Sequence, residues 1–201
     1  MDNPDLRDKE GGTIAFGAFM SLYNATGKRR WLRDARVAAN YSASWIFAWN
    51  IPMDPDDPRC DFPAHRSTVG MSMIATGNSG MDVYMSLCWF DYYRLWLDTH
   101  YQLYRRIANV CAFDTKQTMD LNGYPHYGFI GLQEEATISA VCRGWSVGVW
   151  VPWITSNQLL PLTACQDCFG TMHLRKIEAM PLPQQEKMNK AFAPWNARKR
   201  R

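Results

Sequence analysis

The residues best suited to moving a proton in this chain are acids at the starts of predicted helices. Glu134 and Glu135 follow an aromatic stretch, PHYGFIG, and open an apolar pattern of helical spacing. Adjacent helical residues diverge by about 100°, so only one of the two can face a given cavity. Asp82 follows TGNSG, where Asn78 or Ser79 is a natural N-cap, and falls in the first turn of the helix expected there. First-turn acids are also favoured by the helix dipole alone, whatever else they do. Asp61 and Asp91 are further carboxyl groups, and Asp91, a little over two turns beyond Asp82, better suits packing or an ion pair. His126, between Pro125 and Tyr127, has the side chain for a proton shuttle near neutral pH. His65-Arg66 follows an acidic, proline-rich stretch, and the Arg66 fork suits bidentate binding of a carboxylate. Cys165 and Cys168 form a CxxC with His173 nearby, but a zinc site wants a fourth ligand and a second close pair. Neither a metal nor a cofactor is therefore expected, and no P-loop, dinucleotide fingerprint or nucleophile elbow is present.

Composition narrows the class. The 201 residues are 47% hydrophobic and include nine Trp, nine Tyr and nine Phe, enough for one domain with a substantial core. The net charge of +3 owes something to the cluster Arg198-Lys199-Arg200-Arg201, and no broad basic stripe points to nucleic acid. The most apolar window, residues 145–162, is interrupted by Pro152, Ser156, Asn157 and Gln158, so no membrane span is expected. MDNPDLRDKEGG lacks the apolar core of a signal peptide, which makes a cytoplasmic location with reduced cysteines the default expectation. Cys88, Cys111 and Cys142 lie in apolar helical patterns and read as buried thiols.

The elements that must position these groups are helices. A hairpin signature occurs twice, FMSLYNATGKRRWLRDARVA at 19–38 and YYRLWLDTHYQLYRRIANVC at 92–111. Leu22 aligns with Leu95, Thr26 with Thr99, Trp31 with Tyr104 and Ala35 with Ala108, always 73 residues apart. A fixed period means an array of similar units. Gly27 is the natural C′ residue of the first helix, and His100 stands in its place in the second copy. Further helices are expected over about 81–98, 101–114 and 133–144. Residues 145–162 should be helical in pieces, broken before Pro152 and near Pro161, with a short helix over 165–180. Residues 1–180 make the hairpin domain, and 181–201 read as a polar basic tail. No segment sustains the two-residue alternation of strands, so the fold class is all-α, antiparallel helical hairpins with little or no sheet.

The string LYNATGKRRWLRDARVAANYSASW, preceded by Gly-Gly and an apolar helix, resembles the hairpins of six-hairpin glycosidases, enzymes built on an (α/α)6 toroid. The resemblance covers about residues 8–170 and about half of such a ring, which makes this a partial toroid. It implies a carbohydrate-active domain, a glycoside hydrolase cleaving its bonds with paired carboxyl groups. On that reading Glu134 is the acid or base and Asp82 its partner. His65, Arg66, His126, Tyr127, Trp150 and Trp153 bind an oligosaccharide or polysaccharide, with Trp49 and Tyr124 as further stacking candidates, whereas Trp31, Trp45, Trp89 and Trp96 belong to the core. A second chain or a missing half-domain would complete the ring. Two alternatives stand beside it. One is a non-catalytic helical-repeat half-domain of a larger protein. The other is a toroid lyase or epimerase using His126 and a Tyr. A large uncovered apolar face would favour the first alternative.

Overall fold

In a computed structural model the chain is mostly helical and all-α in class. The structure describes residues 7–51, 67–76, 80–114, 136–139 and 151–193. Helix α1 (Lys9–Thr26) turns back into α2 (Arg29–Ala43), and α3 (Trp89–Thr99) into α4 (Gln102–Asp114). Helix α5 (Val151–Phe169) is followed by α6 (Leu174–Glu178) and α7 (Leu182–Phe192). The first two are antiparallel helical hairpins, as the repeat predicts.

The repeat is visible in the turns at atomic detail. Gly27 and His100 both adopt left-handed backbone, φ 66° and 58°. Each returns its N–H to the carbonyl four residues back, Tyr23 at 2.7 Å and Trp96 at 2.6 Å. The preceding threonines also match, Thr26 Oγ1 donating to the Leu22 carbonyl and Thr99 Oγ1 to the Leu95 carbonyl, both at 2.6 Å. A third copy appears at Gly170, φ 71°, whose N–H meets the Gln166 carbonyl at 2.8 Å. Only Gly170 carries that signal in the sequence, because the flanking residues keep none of the Thr-Gly and aromatic pattern.

Helix α3, with the short 3-10 helix Tyr84–Cys88 leading into it, lies between α1 and α5. Phe16 and Met20 from α1, Trp89, Phe90, Tyr92 and Leu95 from α3, Tyr104, Ala108 and Cys111 from α4, and Cys165 and Phe169 from α5 share one core. Small residues on α2, Ala35, Ala38 and Ala39, let it sit close against the inner row. The Tyr92 hydroxyl donates to the Ala39 carbonyl at 2.7 Å and the Tyr104 hydroxyl to Asn40 Oδ1 at 2.9 Å, which pins α2 to α3 and α4. Trp89 and Trp96 are buried as expected, whereas Trp31 and Trp45 are half-buried.

Several boundaries depart from the sequence reading. Residues 80–82 are strand and 84–88 a 3-10 helix, so regular helix starts at Trp89 rather than near Met81. Within the helix expected over 133–144, residues 136–139 form a strand, ATIS, where β-branched Thr and Ile suit a pleated ladder. The short strands β1 (Ser72–Met73), β2 (Gly80–Asp82) and β3 (Ala136–Ser139) make an antiparallel sheet in the order β1-β2-β3. Helix α5 runs unbroken through Pro161. Proline removes one ladder bond, and packing against the 3-10 helix, α3 and α7 holds the helix together. The short helix expected over 165–180 is divided by Gly170 between α5 and α6. Residues 182–192, expected as tail, form α7, whose polar Gln185 and Asn189 are buried.

Candidate functional site

The tight turns at 27–28 and 100–101 lie at one end of the helices, opposite the end where α1 and α3 begin. That opposite end also carries the three-stranded sheet. The sheet is tied to the hairpins at several points. Asp8 bridges to Ala75 and Ile46 to Ser72. The Phe47 N–H donates to the Met71 carbonyl at 2.8 Å, and the Thr76 N–H to the Arg7 carbonyl at 2.8 Å.

Asp82 lies at this end, on β2. In the ladder it lies opposite both Ser72 and Ala136. Its side chain is 1% exposed and both oxygens are occupied. Oδ2 is ion-paired with the buried Lys9 ammonium. Oδ1 accepts from the Ser72 hydroxyl at 2.9 Å and from the Tyr84 N–H at 3.2 Å. Burial pushes the Asp82 carboxyl up, while Lys9, Ser72 and the Tyr84 amide pull against it. A carboxylate so enclosed joins α1, β1 and β2. Asp82, expected as the partner of Glu134, is thus a buried charge held by partners within the protein, as a buried charge must be.

Glu10, the next residue after Lys9, is the half-buried carboxyl group beside this cluster. Its pKa is raised, first by desolvation and then by the charges of Asp82 and Asp8, with Lys9 opposing. The sequence reading passed over Glu10 because it lies in a charged stretch that looks like a solvated end. Its one legible sign was its place in the first turn of a capped helix, where Asp8 Oδ1 accepts from the Gly11 N–H at 2.9 Å.

Trp49 also lies at this end, a few residues beyond α2, and is 61% exposed. Its backbone is braced. The Thr68 hydroxyl donates to the Trp49 carbonyl at 3.1 Å, the Ile51 N–H donates to Thr68 Oγ1 at 2.8 Å, and Asn50 Oδ1 accepts from the Thr68 N–H at 3.0 Å. The indole packs edge-on against Phe47, with ring centroids 5.9 Å apart.

Of the other predicted site residues, Trp153 lies in the first turn of α5. Asp61, His65, Arg66, Tyr124, His126, Tyr127, Glu134 and Trp150 lie outside the described residues. Glu134 stands two positions ahead in the chain of Ala136, the residue paired with Asp82. Asp91 is on α3, one turn before Arg94, and burial raises its pKa to about 6 with Arg94 opposing. Cys165 and Cys168 are buried thiols on one face of α5, both pushed up to about 12 by burial. A thiol held protonated in this way is a poor metal ligand or redox nucleophile at neutral pH. Among the described residues no group of His, Cys, Asp and Glu side chains is arranged to hold a metal ion, and no helix is long and apolar enough to cross a membrane. No family model, curated protein or solved structure matches this chain.

Proposed function

We propose that the chain is a carbohydrate-active domain that hydrolyses glycosidic bonds at its sheet-bearing end, using Glu134 with Glu10 as the paired carboxyl groups. The observation that carries the reading is an exposed, backbone-braced indole, Trp49, at the same end as a half-buried carboxyl of raised pKa, Glu10. Sugar rings present apolar C–H faces that stack on indole, and desolvation that raises a carboxyl's pKa moves it in the direction a leaving-group acid needs. Asp82 serves this end by position, holding the start of α1 against β2.

A second reading is a non-catalytic domain that binds sugars through its aromatics. It draws support from Asp82, whose oxygens are both engaged within the protein. One experiment separates the two. Release of reducing ends is followed over a panel of oligosaccharides, alongside binding of the same sugars by calorimetry. Hydrolysis is expected, with Glu134→Gln and Glu10→Gln each lowering turnover by at least about 100-fold. Turnover indifferent to both substitutions would sink the carboxyl assignment. Binding without turnover, lost in Trp49→Ala, selects the non-catalytic reading.

A further inference from the structure

The three left-handed caps allow equivalent positions to be matched by counting back from Gly27, His100 and Gly170. On α1 the side turned to α3 carries Thr13, whose hydroxyl meets Met85 Sδ at 3.2 Å, and Phe16, whose ring centroid is 4.7 Å from that of Tyr92. The same side carries Gly17, where an added Cβ would lie 3.7 Å from Asp91 Oδ2, and Asn24, which accepts from Arg94 at 2.7 Å. The matching side of the second unit meets α5 and its end: Ser86 accepts from Gln158, and Phe90 and Tyr93 pack on Phe169. One lateral interface is thus used twice within the chain, α1 against α3 and α3 against α5.

Both surfaces of that interface recur uncovered at the flanks of the row. On α5, the positions matching Phe16, Gly17 and Met20 are Leu159, Leu160 and Thr163, all exposed, Leu160 at 61%. On α1, the positions matching Leu87, Asp91, Arg94 and Asp98 are Ile14, Ala18, Ser21 and Ala25, again exposed, with Ile14 at 59%. The corresponding positions on α5, Asn157, Pro161 and Cys168, are buried. The α1 flank bears no charge from Thr13 to Thr26, as expected of a helix covered on every side. Repeat arrays that end in water carry polar outer faces on their terminal units, whereas the α1 flank here is uncharged and the α5 flank presents Leu159 and Leu160.

We infer that a second copy of this chain covers these flanks head to tail, the α5 flank of one copy seated on the α1 flank of the next. The contact continues the internal α1–α3–α5 interface. The bulky Leu159 and Leu160 of one face meet the small Ala18, Ser21 and Ala25 of the other. Such a contact is heterologous, so each copy offers one surface of each kind.

This inference stands apart from the sugar chemistry, and its test reads mass alone. Light scattering after gel filtration of the full chain at about 50 µM should give a multiple of the monomer mass. Ile14→Lys and Leu160→Lys change exposed residues on opposite flanks, and each should raise the dissociation midpoint at least tenfold, with an unchanged helical spectrum and melt. Mixing the two variants should restore a dimer, because the intact α1 flank of one pairs with the intact α5 flank of the other. A wild-type monomer at that concentration overturns the inference. So does association lost in Ile14→Lys but kept in Leu160→Lys, which would mean that like flanks pair with like, and so does a mixture that stays monomeric.

Discussion

At the scale of single residues, Asp91 offers the most direct reading of what burial does to a charge here. It lies against the α1 backbone at Gly17, and the opposite charge acting on it among the described residues is Arg94, whose guanidinium is committed to Asn189 Oδ1 and Asn24 Oδ1 at 2.7 Å each. Its pKa rises from 3.8 to about 6 on folding. The folded state therefore holds a proton that the unfolded state has released. That contribution is fully present below about pH 4 and is lost as pH rises through 6, since stability falls with pH wherever the folded state binds more protons. Relative to Asp91→Asn, wild-type stability in urea melts should fall by about 1–3 kcal/mol between pH 4 and 7. Parallel curves for the two proteins would refute this. The residue-level reading of the sequence fared unevenly for a physical reason. Asp91 as a packing or ion-pair group, and Cys88 and Cys111 as buried thiols, follow from helical periodicity. Asp82 and Glu10 do not, because their environment depends on Lys9, a residue 73 positions from Asp82 in a stretch that looks solvated.

At the scale of elements, the hairpins were legible and the sheet was not. A helix announces itself through many residues at 3.6-residue spacing and through its caps. Strands of two to four residues offer too few positions for alternation to show. The turn after α3 shows how far a motif drifts: His100 keeps the left-handed geometry of Gly27 although a side chain there costs about 1–2 kcal/mol. The Gly11-Gly12 pair that marks the first helix also yields a contrast. Gly11 has only Asp8 Oδ1 near an added Cβ, at 3.7 Å, whereas Gly12 would bring a methyl into the Tyr41 ring, with Cε1 at 2.8 Å and Ser42 Oγ at 3.0 Å. Tyr41 is held there by its hydroxyl bond to the Asp8 carbonyl, at 2.8 Å. Gly11→Ala should stabilise by up to about 1 kcal/mol through helix propensity. Gly12→Ala gains the same term but pays an overpacking cost of about 1–3 kcal/mol, so it should melt lower than Gly11→Ala. Equal melting of the two variants would show that Tyr41 moves aside freely.

At the scale of the whole molecule, the part least legible was the segment after Met180. LPQQEKMNKAF is polar, and composition alone assigns it to a tail, yet it forms α7 against α3 and α5. Its docking is built from polar groups on both sides, which is why hydrophobic patterning misses it. The Tyr93 hydroxyl donates to Gln185 Oε1 at 2.8 Å, and Gln185 Nε2 donates to the Met180 carbonyl at 2.8 Å. Asn189 Oδ1 accepts from Arg94 Nε at 2.7 Å, and Asn189 Nδ2 donates to Asp98 Oδ1 at 3.2 Å. Phe192 closes over Phe90, ring centroids 5.9 Å apart, and lies 4.9 Å from the Arg94 guanidinium. Arg94 is only 2% exposed and reaches α1 through Asn24 as well, so one side chain binds three helices. A chain ending at Met180 would lose the Asn189 and Gln185 hydrogen bonds and the Phe192 cover together, opening the Arg94 side of the core to water. A domain is stable by only about 5–15 kcal/mol, so losing several such contacts at once is a large share of the total. The truncated chain should therefore lose its cooperative melt or unfold at far lower urea than the full chain. Coincident melts of the two chains would mean that α7 is an ornament on a core complete without it.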